Sequence, residues 1–204
     1  MLTGKTALIV NEMQLGVVDP AHSNFRDLAN QVQDRGIIPK MAKLADAFRK
    51  AGLPVVHTPV IHRPDLRDLK ANSLINALSI KKKSMTEGSV EAAYVDELQP
   101  VDGDFVIVRT SGLIAMCATQ LDAMLRRMDV QTIVLTGVST NVAMAGNSIV
   151  ASELGYHVVI PEDCIAGSDP ETHQTIVNNQ LRMVARIVTF DDVMAAVARQ
   201  TEAV

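Results

Sequence analysis

Two charged side chains whose types suit an active site stand at the ends of short apolar runs. Glu12 follows the run TALIV (6–10), and Arg109 closes the run FVIVR (105–109). A carboxyl group can accept or donate a proton, and the planar guanidinium can bind a carboxylate through two hydrogen bonds. We predict that Glu12 is a functional acid/base group. For Arg109, a structural ion pair and a clamp on a substrate carboxylate are both open.

The cysteines and two neighbouring histidines indicate less. Cys117 and Cys164 form neither a disulfide framework nor a zinc motif. Cys164 is predicted to be a small buried side chain, and Cys117 is a pocket residue whose thiol has no His or carboxylate at an informative spacing. His57 and His62 lack a nearby carboxylate motif, so we predict no metal and no cofactor, with His62 in a pocket wall.

The elements that position these residues follow from the hydrophobic pattern. Short apolar runs rich in Val, Ile and Leu alternate with helical spacing, which predicts an α/β fold with a parallel sheet and helices on both faces. The predicted strands are 6–10, 54–58, 105–109, 132–136, 156–160 and 186–189. The predicted helices are 25–50 with a break at 36–39, 119–128, 141–154, 170–184 and 191–199.

Small ligands bind outside the carboxyl ends of the strands in such folds. The segments that matter should therefore be 11–14, 58–62, 109–111 and 137–143, and Gln14 is expected in the pocket. The irregular region 60–103 is long for a connection inside one domain, which favours a lid or a subunit contact.

Those strand ends resemble the isochorismatase-like cysteine hydrolases, a family that includes nicotinamidases and N-carbamoylsarcosine amidases. ALIVNEMQ (7–14) is similar to the family's apolar run ending in Asp-Met-Gln, and TIVLTGVSTNVAMA (132–145) to Leu-Thr-Gly-Val-x-Thr-x-x-Cys. TEGSVEAAYVDELQP (86–100) and LGYHVVIPEDCIAGSDPETHQ (154–174) also match. The resemblance covers nearly the whole chain. It implies a single domain over 1–204, doubly wound, with six parallel strands in the order 3-2-1-4-5-6.

The resemblance also implies that all three catalytic positions are altered. The family's carboxylate, Lys and nucleophilic Cys correspond to Glu12, Arg109 and Ala143. An arginine does not release its proton in practice, and an alanine offers no nucleophile. Acyl-enzyme chemistry of the usual kind is therefore excluded at position 143.

The turn after the fourth strand corresponds to Val138, Ser139 and Thr140. In the family it supplies backbone N–H groups to an oxyanion hole, and the peptide bond before the position of Ser139 is cis. We expect both features here.

Three functions remain open. The first is a hydrolase of non-cysteine mechanism that acts on a small, carboxylate-bearing molecule, because some isochorismatases protonate a vinyl ether from the position of Glu12. The second is a catalytically inactive family member that binds a small ligand or has a regulatory role, which the three altered positions favour. The third is an amidase that uses Cys117.

Composition excludes other classes. Aromatic residues make up only 3% of the chain and the net charge is −4, which disfavours nucleic-acid binding. No apolar run approaches the about 18 residues that a membrane span needs. With no secretory leader pattern and no disulfide framework, a cytoplasmic location is expected. The irregular region, the Met-rich helices and the family resemblance favour a homodimer or a larger homo-oligomer.

Overall fold

A parallel sheet of seven strands forms the centre of the molecule. The structure is a computed structural model, and it describes residues 2–202. The strands are β1 (Lys5–Asn11), β2 (Val55–Thr58), β3 (Phe105–Val106), β4 (Val130–Val138), β5 (His157–Pro161), β6 (Ile165–Ala166) and β7 (Arg186–Val188). Their order is β3-β2-β1-β4-β5-β7, and β6 pairs with the end of β4. The predicted order of six strands is confirmed, with β7 as the predicted sixth strand.

The central strands are apolar along their length because both faces of the sheet are covered. Ala7, Leu8, Ile9 and Val10 are all buried, as expected for a parallel strand between two helical layers. Because β1 pairs with β2 on one side and with β4 on the other, its carboxyl end lies between the ends of those two strands.

Nine α-helices occur among the described residues, and both faces of the sheet are covered by helices, as predicted. They are α1 (Leu15–Val18), α2 (Arg26–Arg35), α3 (Ile37–Lys50), α4 (Leu74–Lys82), α5 (Leu121–Arg127), α6 (Ala145–Glu153), α7 (Pro170–Ile176), α8 (Arg182–Val184) and α9 (Phe190–Glu202). Helices α2, α3 and α9 pack on one face, and α5, α6 and the segment 170–184 on the other. Wider π-helical turns, Thr140–Met144 and Val177–Leu181, precede α6 and join α7 to α8.

The predicted break between the first two long helices is confirmed at Gly36. This residue adopts φ +60°, a left-handed conformation that glycine accepts without steric cost, and it separates α2 from α3. Met41, Leu44 and Phe48 then form the buried stripe of α3.

Two regions differ from the prediction. The strand expected at 105–109 is regular only over Phe105–Val106, although Val60 and Arg109 form an isolated parallel bridge further along. The apolar run is misleading here, because this edge strand leaves Phe105, Val106 and Val108 exposed. The irregular region contains α4 and two short 3-10 helices, Val90–Ala92 and Asp96–Leu98. The two-residue strand β6 was also missed.

A search of the helices within residues 2–202 finds none that combines the length and the apolar character required to cross a bilayer.

Candidate active site

Glu12 and Arg109 form an ion pair at the carboxyl end of β1. Nη2 of Arg109 donates to Oε1 of Glu12 at 2.5 Å and to the carbonyl oxygen of Thr58 at 3.0 Å, and Nη1 donates to the Gly112 carbonyl at 3.4 Å. The Arg109 side chain is 1% exposed and that of Glu12 17%. Of the two roles considered for Arg109, the structure shows the ion pair.

Asn11, the last residue of β1, links the ends of three strands. Its Nδ2 donates to the carbonyl oxygen of Val138 at 2.6 Å, and its Oδ1 accepts a hydrogen bond from Oγ1 of Thr58 at 2.8 Å. Across the strand, Gly137 has φ +105°, and a Cβ there would collide with the carbonyl oxygen of Asn11. From the sequence, Asn11 is expected at the site only as a member of the segment 11–14. The available signal was a polar residue closing an otherwise apolar buried strand.

The turn after β4 has one of the two features expected of it. The peptide bond between Val138 and Ser139 is cis. The carbonyl oxygen of Ser139 accepts hydrogen bonds from the N–H groups of Val142 at 3.3 Å and Met144 at 2.9 Å, which begins the helix that continues into α6. The start of this helix faces the cavity described below, so the positive end of its dipole is directed there.

A buried chain of hydrogen bonds holds this turn from behind. Oγ1 of Thr140 lies 2.7 Å from Nδ1 of His173, whose Nε2 lies 2.9 Å from Oε1 of Glu162. The same oxygen accepts a hydrogen bond from Arg35 at 2.7 Å. The hydrogen bond with His173, together with Arg35, lowers the pKa of Glu162 to about 2. Thr140 therefore anchors the turn from inside the protein and does not line the cavity.

Ala143 occupies the position where the resemblance implies a nucleophile. Its methyl group lines the cavity, and its carbonyl oxygen accepts a hydrogen bond from Nδ2 of Asn147 at 2.8 Å. Oδ1 of Asn147 accepts the N–H of Met116 at 3.0 Å. The backbone around position 143 is thus well fixed, but it carries no reactive side chain.

A cavity of about 300 Å³ lies over the carboxyl ends of β1 and β4, and Glu12, Ser139 and Ala143 are among the residues that line it. Its apolar wall is formed by Val17, Phe25, Leu28, Ile75 and Met85. Amide and hydroxyl groups come from Asn24, Asn76, Asn141, Ser79, Ser84 and Ser168. No Lys or Arg of the described residues lines it. The cavity suits a small molecule that makes several hydrogen bonds.

The structure places two of the three expected pocket residues elsewhere. His62 lines the cavity, but Gln14 is fully buried beside it. Nε2 of Gln14 donates to the carbonyl oxygens of Val60 and Ala92, each at 2.9 Å, and its Oε1 accepts the N–H of Val60 at 2.7 Å. Both polar atoms of the Gln14 side chain thus form hydrogen bonds with backbone groups. These bonds connect the irregular region to the segment that follows β1.

Cys117 is exposed in a separate surface depression and does not line the cavity. Because Cys117 is exposed and lies outside the cavity, its thiol is not placed to act in the position of Ala143. Cys164 is buried, and burial raises the pKa of its thiol. The prediction of a small buried side chain at Cys164 is confirmed.

His57 belongs to a structural cluster away from the cavity. Its Nε2 lies 3.0 Å from Oδ2 of Asp104, which also accepts a hydrogen bond from Arg49 at 2.7 Å. Burial lowers the pKa of His57, although the hydrogen bond with Asp104 acts in the opposite direction. Within residues 2–202, His, Cys, Asp and Glu side chains form no group of three suited to a metal ion.

Comparison with known protein families gives one match over most of the chain. The model of the isochorismatase domain matches residues 6–192.

Similar proteins span nearly the same length. The uncharacterized isochorismatase family protein YecD of Escherichia coli O157:H7 is 28% identical over 94% of this chain and 95% of its own. The ureidoacrylate amidohydrolase RutB of Rhizobium rhizogenes is 27% identical over 96% of this chain and 84% of its own. Among solved structures, an isochorismatase family protein from Desulfovibrio vulgaris has a TM-score of 0.83 and 25% identity, covering 97% of this chain and 100% of its own.

Proposed function

Because the chain belongs to the isochorismatase family of hydrolases, we propose that it hydrolyses a small molecule without a cysteine nucleophile. Glu12 is the general acid/base. The observation that carries this proposal is the placement of Glu12, paired with Arg109, in a cavity whose nucleophile position is occupied by Ala143.

The ion pair assigns different tasks to the two carboxyl oxygens of Glu12. Oε1 accepts the hydrogen bond from Arg109, while Oε2 has no hydrogen-bond partner within residues 2–202 and belongs to a side chain that lines the cavity. Oε2 is therefore the atom that exchanges protons. It takes a proton from a water molecule whose oxygen bonds to the substrate carbon, and it then protonates the leaving group. On a vinyl ether the same group would act first as an acid.

The start of the helix after Ser139 serves the developing negative charge. Backbone dipoles aligned at a helix N-terminus stabilise an anion without reorganising during the reaction. Ser139, Asn141 and Ala143, at this end of the helix, line the same cavity as Glu12. The group that activates water follows β1, and the group that binds the substrate oxygen follows β4. The two groups therefore lie at the ends of adjacent strands.

We propose a small, carboxylate-bearing substrate, such as an amide or a vinyl ether. The ureidoacrylate in the name of the RutB relative is a substituted urea that carries a carboxylate. Arg109 is engaged with Glu12 and does not line the cavity, so a substrate carboxylate would be received by the helix start and by hydroxyl and amide groups.

A non-catalytic ligand-binding protein is the second candidate. Ala143 favours it, because the cavity is present although the nucleophile is absent. A panel containing ureidoacrylate, simple primary amides and vinyl ethers separates the two. Product formation supports the hydrolase, whereas saturable binding without product supports the second candidate.

Thiol chemistry tests the cysteine-free mechanism. Iodoacetamide should alkylate exposed Cys117 and spare buried Cys164, and turnover should remain at the untreated level, as it should in Cys117→Ser. The measurement is product formation against the extent of alkylation. Ala143→Cys is the matched control, because it places a thiol inside the cavity and should make activity sensitive to the reagent. Loss of wild-type activity in proportion to alkylation would disprove the proposal.

A further inference from the structure

His62 has one ring nitrogen committed to the protein and the other free. Its Nδ1 lies 2.6 Å from the carbonyl oxygen of Thr110. A carbonyl oxygen can only accept, so Nδ1 carries the hydrogen. Nε2 has no hydrogen-bond partner among residues 2–202, and the residue, which is 5% exposed, lines the same cavity as Glu12. Nε2 is therefore the atom of this ring that can gain or lose a proton.

We propose that His62 is a second catalytic residue, which delivers the leaving group's proton from Nε2 while Glu12 takes a proton from water. This inference rests on the proposed hydrolase function and refines it, because Glu12 then no longer performs both transfers. An imidazole nitrogen can carry a proton and donate it to a leaving group within hydrogen-bond reach.

Consecutive residues of one segment orient the two groups. Arg109 donates to Oε1 of Glu12, and the carbonyl oxygen of the next residue, Thr110, accepts the hydrogen bond from His62. The N–H of Ile61 also donates to the carbonyl oxygen of Arg109 at 2.9 Å. The segments that carry His62 and Arg109 are thus fixed to each other, and with them the two groups that face the cavity.

The backbone of His62 is held on its other side as well. Its N–H donates to the carbonyl oxygen of Met85 at 2.7 Å, and its carbonyl oxygen accepts the N–H of Glu87 at 2.9 Å. These bonds, with the one at Nδ1, hold the ring in place. The bond from Nδ1 is compatible with the neutral and the charged ring, so a proton can move at Nε2 without disturbing the tether.

The proton balance closes over one turnover. Glu12 Oε2 removes a proton from water as the water oxygen bonds to the substrate carbon. The electron pair of the breaking C–N or C–O bond goes to the leaving group, which receives the proton from Nε2 of His62. Glu12 is then protonated and His62 neutral, and transfer of one proton from Glu12 to His62 through water restores the starting state.

Two variants separate this role from structural ones. In His62→Asn, the side-chain amide nitrogen replaces Nδ1 and can keep the bond to Thr110, but nothing replaces Nε2. In His62→Gln, the amide fills the region of Nε2 without being able to donate a proton in the reaction. Thermal melts and circular dichroism check that each variant is folded. The two variants fail in different ways, so either one tests the proposal if the other does not fold.

The readout is the dependence on the leaving group. For the best amide of the panel, both variants should lose about 100-fold in kcat, with KM little changed. For 4-nitrophenyl acetate, kcat/KM should stay close to wild type, because nitrophenolate leaves without a proton. A structural role would reduce both activities together.

Several outcomes would overturn the inference. One is an equal loss of activity on the amide and the ester, and another is wild-type kinetics on both. A third is an increased KM with unchanged kcat, which would indicate that His62 binds a carboxylate of the substrate. Glu12→Gln, measured in parallel, distinguishes a failure of the role of His62 from a failure of the proposed function. If it is inactive while His62→Asn is fully active, only the role of His62 fails. If Glu12→Gln is active, or if the wild-type protein turns over neither the ester nor any member of the panel, the proposed function fails as well.

Discussion

Glu12→Gln should remove turnover almost completely while ligand affinity remains close to that of the wild-type protein. The glutamine keeps the size of the side chain and an oxygen that can accept the hydrogen bond from Arg109, but it cannot exchange a proton at the reaction pH. General acid–base catalysis contributes about 10²–10⁴-fold, so a loss of that order is expected in kcat. Product assays give kcat, and calorimetric titration of the variant with the unreacted substrate gives the affinity.

Glu97→Gln is a matched control for this experiment. Glu97 is exposed in a short 3-10 helix and does not line the cavity, so the same change of charge there should leave kcat unaltered. Turnover by Glu12→Gln at the level of this control would rule out Glu12 as the acid/base group.

Arg109→Ala should cause the largest loss of stability among the site variants. It deletes a side chain that is 1% exposed and leaves Glu12 and the carbonyl oxygen of Thr58 without their donor. Removing one partner of a buried ion pair costs about 3–5 kcal/mol. Because Glu12 is partly exposed, we expect a decrease of about 3 kcal/mol in the free energy of unfolding. Urea denaturation measures it.

Arg63→Ala provides the comparison for the loss of an exposed pair. Arg63 donates to Asp65 at the surface, where solvent screens the interaction, so this variant should unfold near the wild-type midpoint. An Arg109→Ala protein as stable as Arg63→Ala would show that the buried pair does not hold the site together. Reduced activity is also expected, since Oε1 of Glu12 loses its fixed partner.

The strands and the polar residues at their carboxyl ends could be predicted from the sequence for the same reason. A strand buried on both faces is read as a continuous apolar run, and its end is marked by the first polar residue, such as Asn11 or Glu12. Helices α3 and α9 each have one apolar stripe, which the sequence pattern also predicts. The turn at Ser139 could be anticipated because its residues match the family pattern.

Other features depend on contacts that no local pattern encodes. The engagement of Gln14 with Val60 and Ala92 joins segments far apart in the chain, so its side chain could not be distinguished from a pocket residue. The same holds for the choice of Arg109 between Glu12 and a ligand. Helix α4 was missed because its apolar residues do not follow one stripe, and Leu74 is largely exposed. The tether of His62 to Thr110 is visible only in three dimensions.

The mass of the intact protein during steady-state turnover tests the central claim most directly. The reaction is quenched by acid while product accumulates and is examined by mass spectrometry. With water as the attacking group and Ala143 in the nucleophile position, the chain should keep its unmodified mass at every time point. A mass increase equal to the acyl part of the substrate, appearing and decaying with turnover, would show a covalent intermediate and contradict the cysteine-free mechanism.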